Sequence, residues 1–344
     1  MAKKLKKFEK TVISTRMRLA RNLESYPFPL RLTDVQADEV AAIVRNALRH
    51  LDDGWQEYDM RAVGKGKAML LQEQHLISPA LVESRRGVAF VSPDENVSVM
   101  VNEEDHLREQ YIVKGFELSS AYERICSLDD GIGGFLNFAY DKKFGFLTAC
   151  PSNVGTGLRA SVMMFLPALQ QKNAIGEFVR KWSDCGLTVR GVFGEGTAAE
   201  EYRYQISNDK TLGLTEEEIL SYMQSAIEEI AEAEEEERQK IVEKDGLRLR
   251  DEVWRAYGIL TSCGKMEHKE CRELLTKVKL GLALGFFRIR KADPYVFDAF
   301  ADELRPYSFC ETNELFDVSQ AGRDLRRAEV LRWMLPQLVV RQEG

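Results

Sequence analysis

The sequence predicts an α+β protein whose last third is all helix, and three observations carry that prediction. Short β-branched and apolar runs recur through the first two-thirds, at residues 11–21, 88–91, 97–101, 144–148, 159–166, 188–193 and 202–207. Helical periodicity lies between them, over 33–51, 118–128 and 168–185. After Gly213 the strand signals stop and helical patterns take over.

Each element has a local reason. Residues 11–21 form a strand on which Arg16 and Arg18, two apart, point to one face. Thr33 or Asp34 caps the helix of 33–51. The strands 88–91 and 97–101 make a hairpin through Ser92-Pro93-Asp94-Glu95-Asn96. If the second strand ran on to residue 105, Glu103 and Asp105 would face one side and Glu104 the other. Residues 168–185 fit one helix closed by Gly186. Thr215 and Glu218 make a capping box, with Ile219, Met223, Ile227 and Ile230 following at helical spacing. Glu234 to Glu237 reads as the exposed end of that helix. Residues 248–262, 267–284 and 322–339 are also helical in pattern. The expected organisation is a basic tail over 1–11, a mixed domain over 12–240 and a helical domain over 241–344.

Composition narrows the class. The chain has 344 residues, 44% hydrophobic and 30% charged, which suits a soluble globular protein of one large or two moderate domains. No apolar run approaches the roughly 20 residues that span a bilayer. Lys3, Lys4, Lys6 and Lys7 precede no apolar segment, so neither a signal peptide nor a membrane association is expected, and a cytoplasmic location is. The six cysteines, at 126, 150, 185, 263, 271 and 310, form no C-x-x-C pair and read as reduced thiols. Cys263, His268 and Cys271 match no zinc spacing. A net charge of −7 argues against a dedicated nucleic-acid binder. There is no G-x-x-x-x-G-K-[ST] loop, no H-R-D or D-F-G pair, and no G-x-G-x-x-G between a strand and a helix.

The chain is organised around Cys150-Pro151-Ser152-Asn153-Val154-Gly155-Thr156-Gly157-Leu158-Arg159-Ala160-Ser161-Val162. Two glycines free the backbone to bend around a ligand, and Arg159 supplies a fixed guanidinium. By composition this is also an ordinary turn. The whole stretch, however, closely resembles the active-site signature of the phosphagen (guanidino) kinases, which phosphorylate a guanidinium nitrogen from ATP. Further segments match in the family's order: Ser14-Thr15-Arg16-Met17-Arg18, then Asn102-Glu103-Glu104-Asp105-His106-Leu107-Arg108, then Arg190-Gly191-Val192-Phe193-Gly194-Glu195. His75 sits where the family places a nucleotide-contacting histidine. The matches span residues 12 to about 213.

The resemblance implies an antiparallel sheet flanked by helices, with ATP and Mg2+ as cofactors. It implies that Arg16, Arg18, Arg108, Arg159 and Arg190 surround the phosphates, in segments that also bring Ser14, Thr15, Met17, Ala160, Ser161, Val162, Met163, Gly191, Val192, Phe193, Gly194 and Glu195 to the nucleotide. Arginine suits this because its planar fork grips two oxygens and stays charged. A guanidinium, with a pKa above roughly 12, is a poor nucleophile until carboxylates orient it and take a proton. Glu104 and Glu195 occupy the family's carboxylate positions, Cys150 its active-site cysteine, and Glu103 and Asp105 are candidates to face the magnesium and its waters.

Small-molecule members carry an N-terminal helical domain before the Ser-Thr-Arg-x-Arg strand; here that strand begins about a dozen residues in, and the extra length is C-terminal. This resembles the bacterial branch that phosphorylates arginine in proteins. Arg323-Asp324-Leu325-Arg326-Arg327-Ala328 fits that branch's R-D-x-x-R-A motif, which implies a phosphoarginine site at Arg323, Asp324 and Arg327 apart from the active site. On a helix Arg323 and Arg327 are one turn apart. The branch implies protein substrates including a heat-shock repressor, a zinc-containing activator, delivery of marked proteins to a Clp protease, and a homodimer. The alternatives are a kinase for a small guanidino compound and an inactive phosphoarginine-binding adaptor.

Overall fold

The computed structural model describes residues 5–52, 54–191, 200–316 and 318–342. In chain order its elements are α1 (Lys7–Thr11), β1 (Val12–Arg21), α2 (Asp34–Leu51), β2 (Gln56–Asp59), α3 (Lys65–Glu73), α4 (Pro79–Val82), β3 (Val88–Val91), β4 (Val97–Val101), β5 (Leu107–Lys114) and α5 (Leu118–Gly133). A small hairpin, β6 (Tyr140–Asp141) and β7 (Gly145–Phe146), precedes β8 (Leu158–Phe165), α6 (Pro167–Gln171), α7 (Ile175–Ser183), β9 (Leu187–Gly191) and β10 (Arg203–Asn208). The remainder is α8 (Glu216–Ser262), α9 (His268–Ala283), β11 (Phe287–Ile289), α10 (Val296–Glu303), α11 (Pro306–Thr312), α12 (Gln320–Leu338) and β12 (Val339–Arg341).

Eight strands form one sheet in the order β2-β3-β4-β5-β1-β8-β10-β9. Its neighbouring strands pair antiparallel. One face is apolar. Met17 and Leu19 of β1, Leu107 of β5, Ala160 and Val162 of β8 and Ile206 of β10 pack there against α2, α5 and the first half of α8. Glu109 is buried on the same face beside the Arg21–Asp129 ion pair; burial, and then Asp129, push its carboxyl well above the usual carboxylate range.

Among the described residues, the apolar packing on the opposite face lies at its ends. Leu71, Leu76 and Leu81, in and beside α3 and α4, pack on Ala89, Val91 and Met100 at one end. At the other end Ile13 and Phe165 join a second core with Val253, Leu275, Phe297, Phe309 and Leu331 of the C-terminal helices. The middle of the sheet is the cleft in which the arginines lie.

Several local expectations change. The chain does not run on as a strand from β4 through 105; Asn102 adopts a left-handed φ of 56° and turns it. The helix expected over 168–185 is two helices, α6 and α7, broken at Asn173 with φ 56°. The strand expected over 144–148 shrinks to β7. Glu234 is fully buried, not the exposed end of a helix. It accepts hydrogen bonds from the Ala168 and Leu169 amides and pairs with Arg238 at 2.9 Å, while α8 continues to Ser262. The one non-helical residue in α8 is Asp245 (φ −128°, ψ 16°). Among the described residues no helix is long and apolar enough to cross a membrane, and no cluster of His, Cys, Asp and Glu could hold a metal.

Candidate active site

Register decides which side chains meet. β1 pairs with β8 so that Arg18 stands opposite Arg159 and Arg16 opposite Ser161. It pairs with β5 so that Ala20 stands opposite Arg108. Across β8, β10 and β9, Met163 faces Gln205 and Gln205 faces Arg190. Opposed residues share a face and successive residues alternate. Arg16, Arg18, Arg108, Arg159 and Arg190, far apart in sequence, therefore project from the same face, away from α2 and α5.

Arg16, Arg18, Arg159 and Arg190 line a cleft of about 770 Å³, together with Ser14, Ser161, Met163, Gly191 and His75. Thr15, Met17, Ala160 and Val162 alternate with these residues and are buried in the sheet. Arg16 donates to Gln205 Oε1 at 3.2 Å and Ser161 Oγ at 3.4 Å. Burial, then Arg108 and Arg159, push the Arg16 guanidinium down to about 10. Burial and the surrounding arginines hold Arg18 well below its ordinary value, against the pull of Glu103. Arg159 is lowered by burial and then by Arg190.

The Nε atoms of Arg18 and Arg159 are buried without a hydrogen-bond partner among the described residues. An unpaired buried donor costs about 1–3 kcal/mol, and like charges directly opposite on a sheet repel. A polyphosphate supplies the acceptors and negative charge that this arrangement lacks, so the residues fit ATP.

The acidic turn divides its labour. Glu103 accepts from Arg108 Nη1 at 2.9 and 3.0 Å and from Ser78 Oγ at 2.5 Å. Burial alone would raise its pKa, but Arg108 and Ser78 hold it low. Asp105 is buried, accepting from Asn22 Nδ2 and the Ala149 amide at 2.6 Å each, and burial raises its pKa. The expectation that Glu103 and Asp105 share a side is thus overturned: they turn to different partners, and Asp105 ties the turn to the segment before Cys150. Glu104 alone is exposed, in a neighbouring cleft of about 830 Å³ that also includes Asn102, Ala149, Asp34 and Arg85. Cys150 Sγ lies 3.0 Å from Ser152 Oγ. Glu195, with Val192, Phe193 and Gly194, lies outside the described residues.

The two glycines are required by the loop's own packing. A Cβ on Gly155 (φ +113°) would meet Thr211 O at 2.2 Å, and one on Gly157 (φ +67°) would meet Arg21 Nη1 at 2.5 Å. They let the loop pack closely on its own chain. Thr211 Oγ1 adds bonds to Ser152 O and Val154 O.

On α12, Arg327 is buried and donates from Nη1 to Met266 O and Asp324 Oδ1, each at 2.9 Å. Its guanidinium lies 4.9 Å from the Phe309 ring centre, and its Nε is a further buried donor without a partner among the described residues. Arg323, one turn earlier, donates to Val318 O at 2.7 Å. Sequence reading missed Arg203, Gln205, Asp302 and Arg305 in the cleft. The last two come from the C-terminal helices, and nothing local in the sequence signals that they fold back onto the sheet.

Comparison with known proteins agrees with this architecture. Residues 39–237 match the family model "ATP:guanido phosphotransferase, C-terminal catalytic domain", and residues 246–343 match "Protein-arginine kinase McsB C-terminal domain". A relative from Brevibacillus brevis (strain 47), named protein-arginine kinase, is 40% identical over 327 residues, covering 93% of this chain and 90% of its own. The crystal structure of lombricine kinase superimposes with a TM-score of 0.60 at 25% identity, over 71% of this chain and 70% of that one. The duplicated taurocyamine kinase of Schistosoma mansoni, with transition-state-analogue components bound, gives 0.59 at 27% identity; the match covers 67% of this chain but only 34% of that longer one. The chain belongs to the ATP:guanido phosphotransferase family, with the C-terminal domain of its protein-arginine kinases.

Proposed function

We propose that this protein transfers the γ-phosphoryl group of ATP to arginine side chains of proteins. The observation that carries the reading is the row of arginines on one sheet face, with the buried Nε donors of Arg18 and Arg159 unpaired. The names of the relatives and the matched C-terminal domain support a protein acceptor over a small guanidino compound. Phosphoryl transfer needs positioning and charge neutralisation more than covalent help. Arg16, Arg18, Arg108, Arg159 and Arg190 hold the phosphate oxygens, and His75 contacts the nucleotide. Mg2+ arriving with the nucleotide supplies further charge neutralisation.

Glu104 and Glu195 orient the acceptor guanidinium and take the proton its nitrogen loses as the P–N bond forms and the bond to ADP breaks. Cys150 supports the same guanidinium. Residues 12–240 form the catalytic domain and 241–344 a C-terminal domain that dimerises and binds phosphoarginine through Arg323, Asp324 and Arg327. By family analogy the enzyme is cytoplasmic, works with a zinc-containing activator protein, phosphorylates a heat-shock repressor in the stress response, and marks proteins for a Clp protease. Incubation with labelled ATP and an arginine-rich protein tests the chemistry. The label should become protein-bound, lost in acid and kept in base; acid-stable label, or transfer only to free arginine, overturns the reading.

A further inference from the structure

We infer that Arg305, reaching into the cleft from the C-terminal helical region, is a nucleotide-positioning residue that fixes the His75 imidazole with its proton on Nδ1, and that Glu73 holds Arg305 in place by capping α11. The inference rests on the reading of the arginine-lined cleft as the ATP site.

Arg305 lines that cleft with Arg16, Arg18, Arg159 and Arg190. Its Nη1 lies 3.3 Å from His75 Nε2 and 3.1 Å from Glu73 O, and its Nη2 is 2.7 Å from Asp302 Oδ1. A guanidinium offers only donors, so Nε2 must accept and the imidazole proton resides on Nδ1. His75 is solvent-exposed on the cleft wall; desolvation by that wall, then Arg305, Arg16 and Arg203, lower its pKa to about 4, which favours the neutral ring beside an already cationic cleft.

The backbone is as constrained as the ring. His75 has a left-handed φ of 63°, a state that in a non-glycine residue persists only where surroundings over-determine it. Here its amide donates to Gln72 O at 2.9 Å, its carbonyl accepts from Gln110 Nε2 at 2.6 Å, and Arg305 closes the third side.

Glu73 is the latch. Arg305 is the N-cap residue of α11 but gives it no side-chain cap. The Glu73 carboxylate instead accepts from the Tyr307 amide at 3.2 Å, the Ser308 amide at 2.7 Å and Ser308 Oγ at 2.8 Å. One residue at the end of α3 thereby holds the helix by its side chain and Arg305 by its carbonyl.

Steady-state kinetics on the full chain tests this, with Arg305→Ala, Arg305→Lys, Glu73→Ala and Arg159→Ala as the variants. A lost hydrogen bond to a charged group is worth about 10–100-fold. Arg305→Ala should therefore raise the KM for ATP by about tenfold or more and leave the KM for the protein acceptor within twofold. Arg305→Lys should recover part of the loss, and Glu73→Ala should shift the ATP KM in the same direction. In the unmodified protein, nitrogen-15 shifts should report a neutral Nδ1–H tautomer for His75 between pH 5 and 8, a readout that survives if a variant fails to fold. An unchanged ATP KM in Arg305→Ala, an equal rise for both substrates, or an Nε2–H tautomer overturns the inference. Loss of ATP binding in Arg159→Ala with none in Arg305→Ala overturns it while leaving the site standing. No effect in either overturns the site reading as well.

Discussion

Arg18 and Arg159 stand directly opposite each other on neighbouring central strands, in a cleft where Arg16 and Arg108 add further positive charge. Like charges so placed oppose folding by about 0.2–1 kcal/mol per pair. Arg159→Met should therefore raise the Tm of the nucleotide-free protein by about 0.3–1.5 °C while removing most of the Tm increase that ATP produces in the unmodified protein. Thermal melts with and without ATP check both halves. A destabilised free protein that keeps its full response to ATP refutes the assignment.

Glu104 is the exposed member of the acidic turn, while Glu103 and Asp105 are held by Arg108 and by the Ala149 amide. Glu104→Gln should lower kcat by about 10²–10⁴-fold and leave ATP binding nearly intact, measured by single-turnover kinetics beside direct titration. Glu195→Gln is expected to behave alike. Near-normal turnover in both removes carboxylate assistance from the mechanism.

His106 makes stability depend on pH. It is fully buried, its Nδ1 accepts from the Leu23 amide at 3.0 Å, and its Nε2–H donates to Pro27 O at 3.0 Å. Burial pushes it down to about 4, against 6.5 for a free histidine. The unfolded chain therefore binds a proton between these values that the native chain refuses. Its contribution is whole above pH 6.5 and is lost as pH falls towards 4, about 1.4 kcal/mol per pH unit. Urea denaturation at pH 7 and 5 should show that slope, reduced in His106→Gln; an unchanged slope in the variant excludes His106 as its source.

Arg323 and Arg327 offer donors from one helix face, and the buried Arg327 Nε has no partner among the described residues. Activation by added phosphoarginine should be about 5–150-fold and should vanish in Arg323→Ala. The ratio of activated to unactivated initial rate is the quantity to measure, and an unaltered ratio assigns the motif to packing alone.

Much of the fold is legible in the amino-acid sequence itself. The Thr215–Glu218 capping box and the Arg16/Arg18 alternation are local, and the structure keeps both. What failed was of two kinds, local turns and contacts distant in sequence. Asn102 and Asn173 enter left-handed turns that asparagine tolerates but does not announce. Glu234 looked solvated because the Ala168 and Leu169 amides reach it only where α8 crosses the N-terminus of α6, although its other partner, Arg238, is one turn on along the same helix. The arginines could be listed from motifs, but their meeting on one face required the strand register.

The second core gathers Ile13 and Phe165 of the sheet with Val253, Leu275 and Leu331 of the helices. The two family models meet between residues 237 and 246, and the buried residues of the two cores part near the same line, except that Ile13 and Phe165 cross it. A chimera that joined this chain's first half to a relative's second half would mate two surfaces shaped by different histories. Its parts would be compatible only if the residues at 13 and 165 travelled with the helices they touch, so the inheritable unit is the shared core, not the stretch of chain that either model delimits.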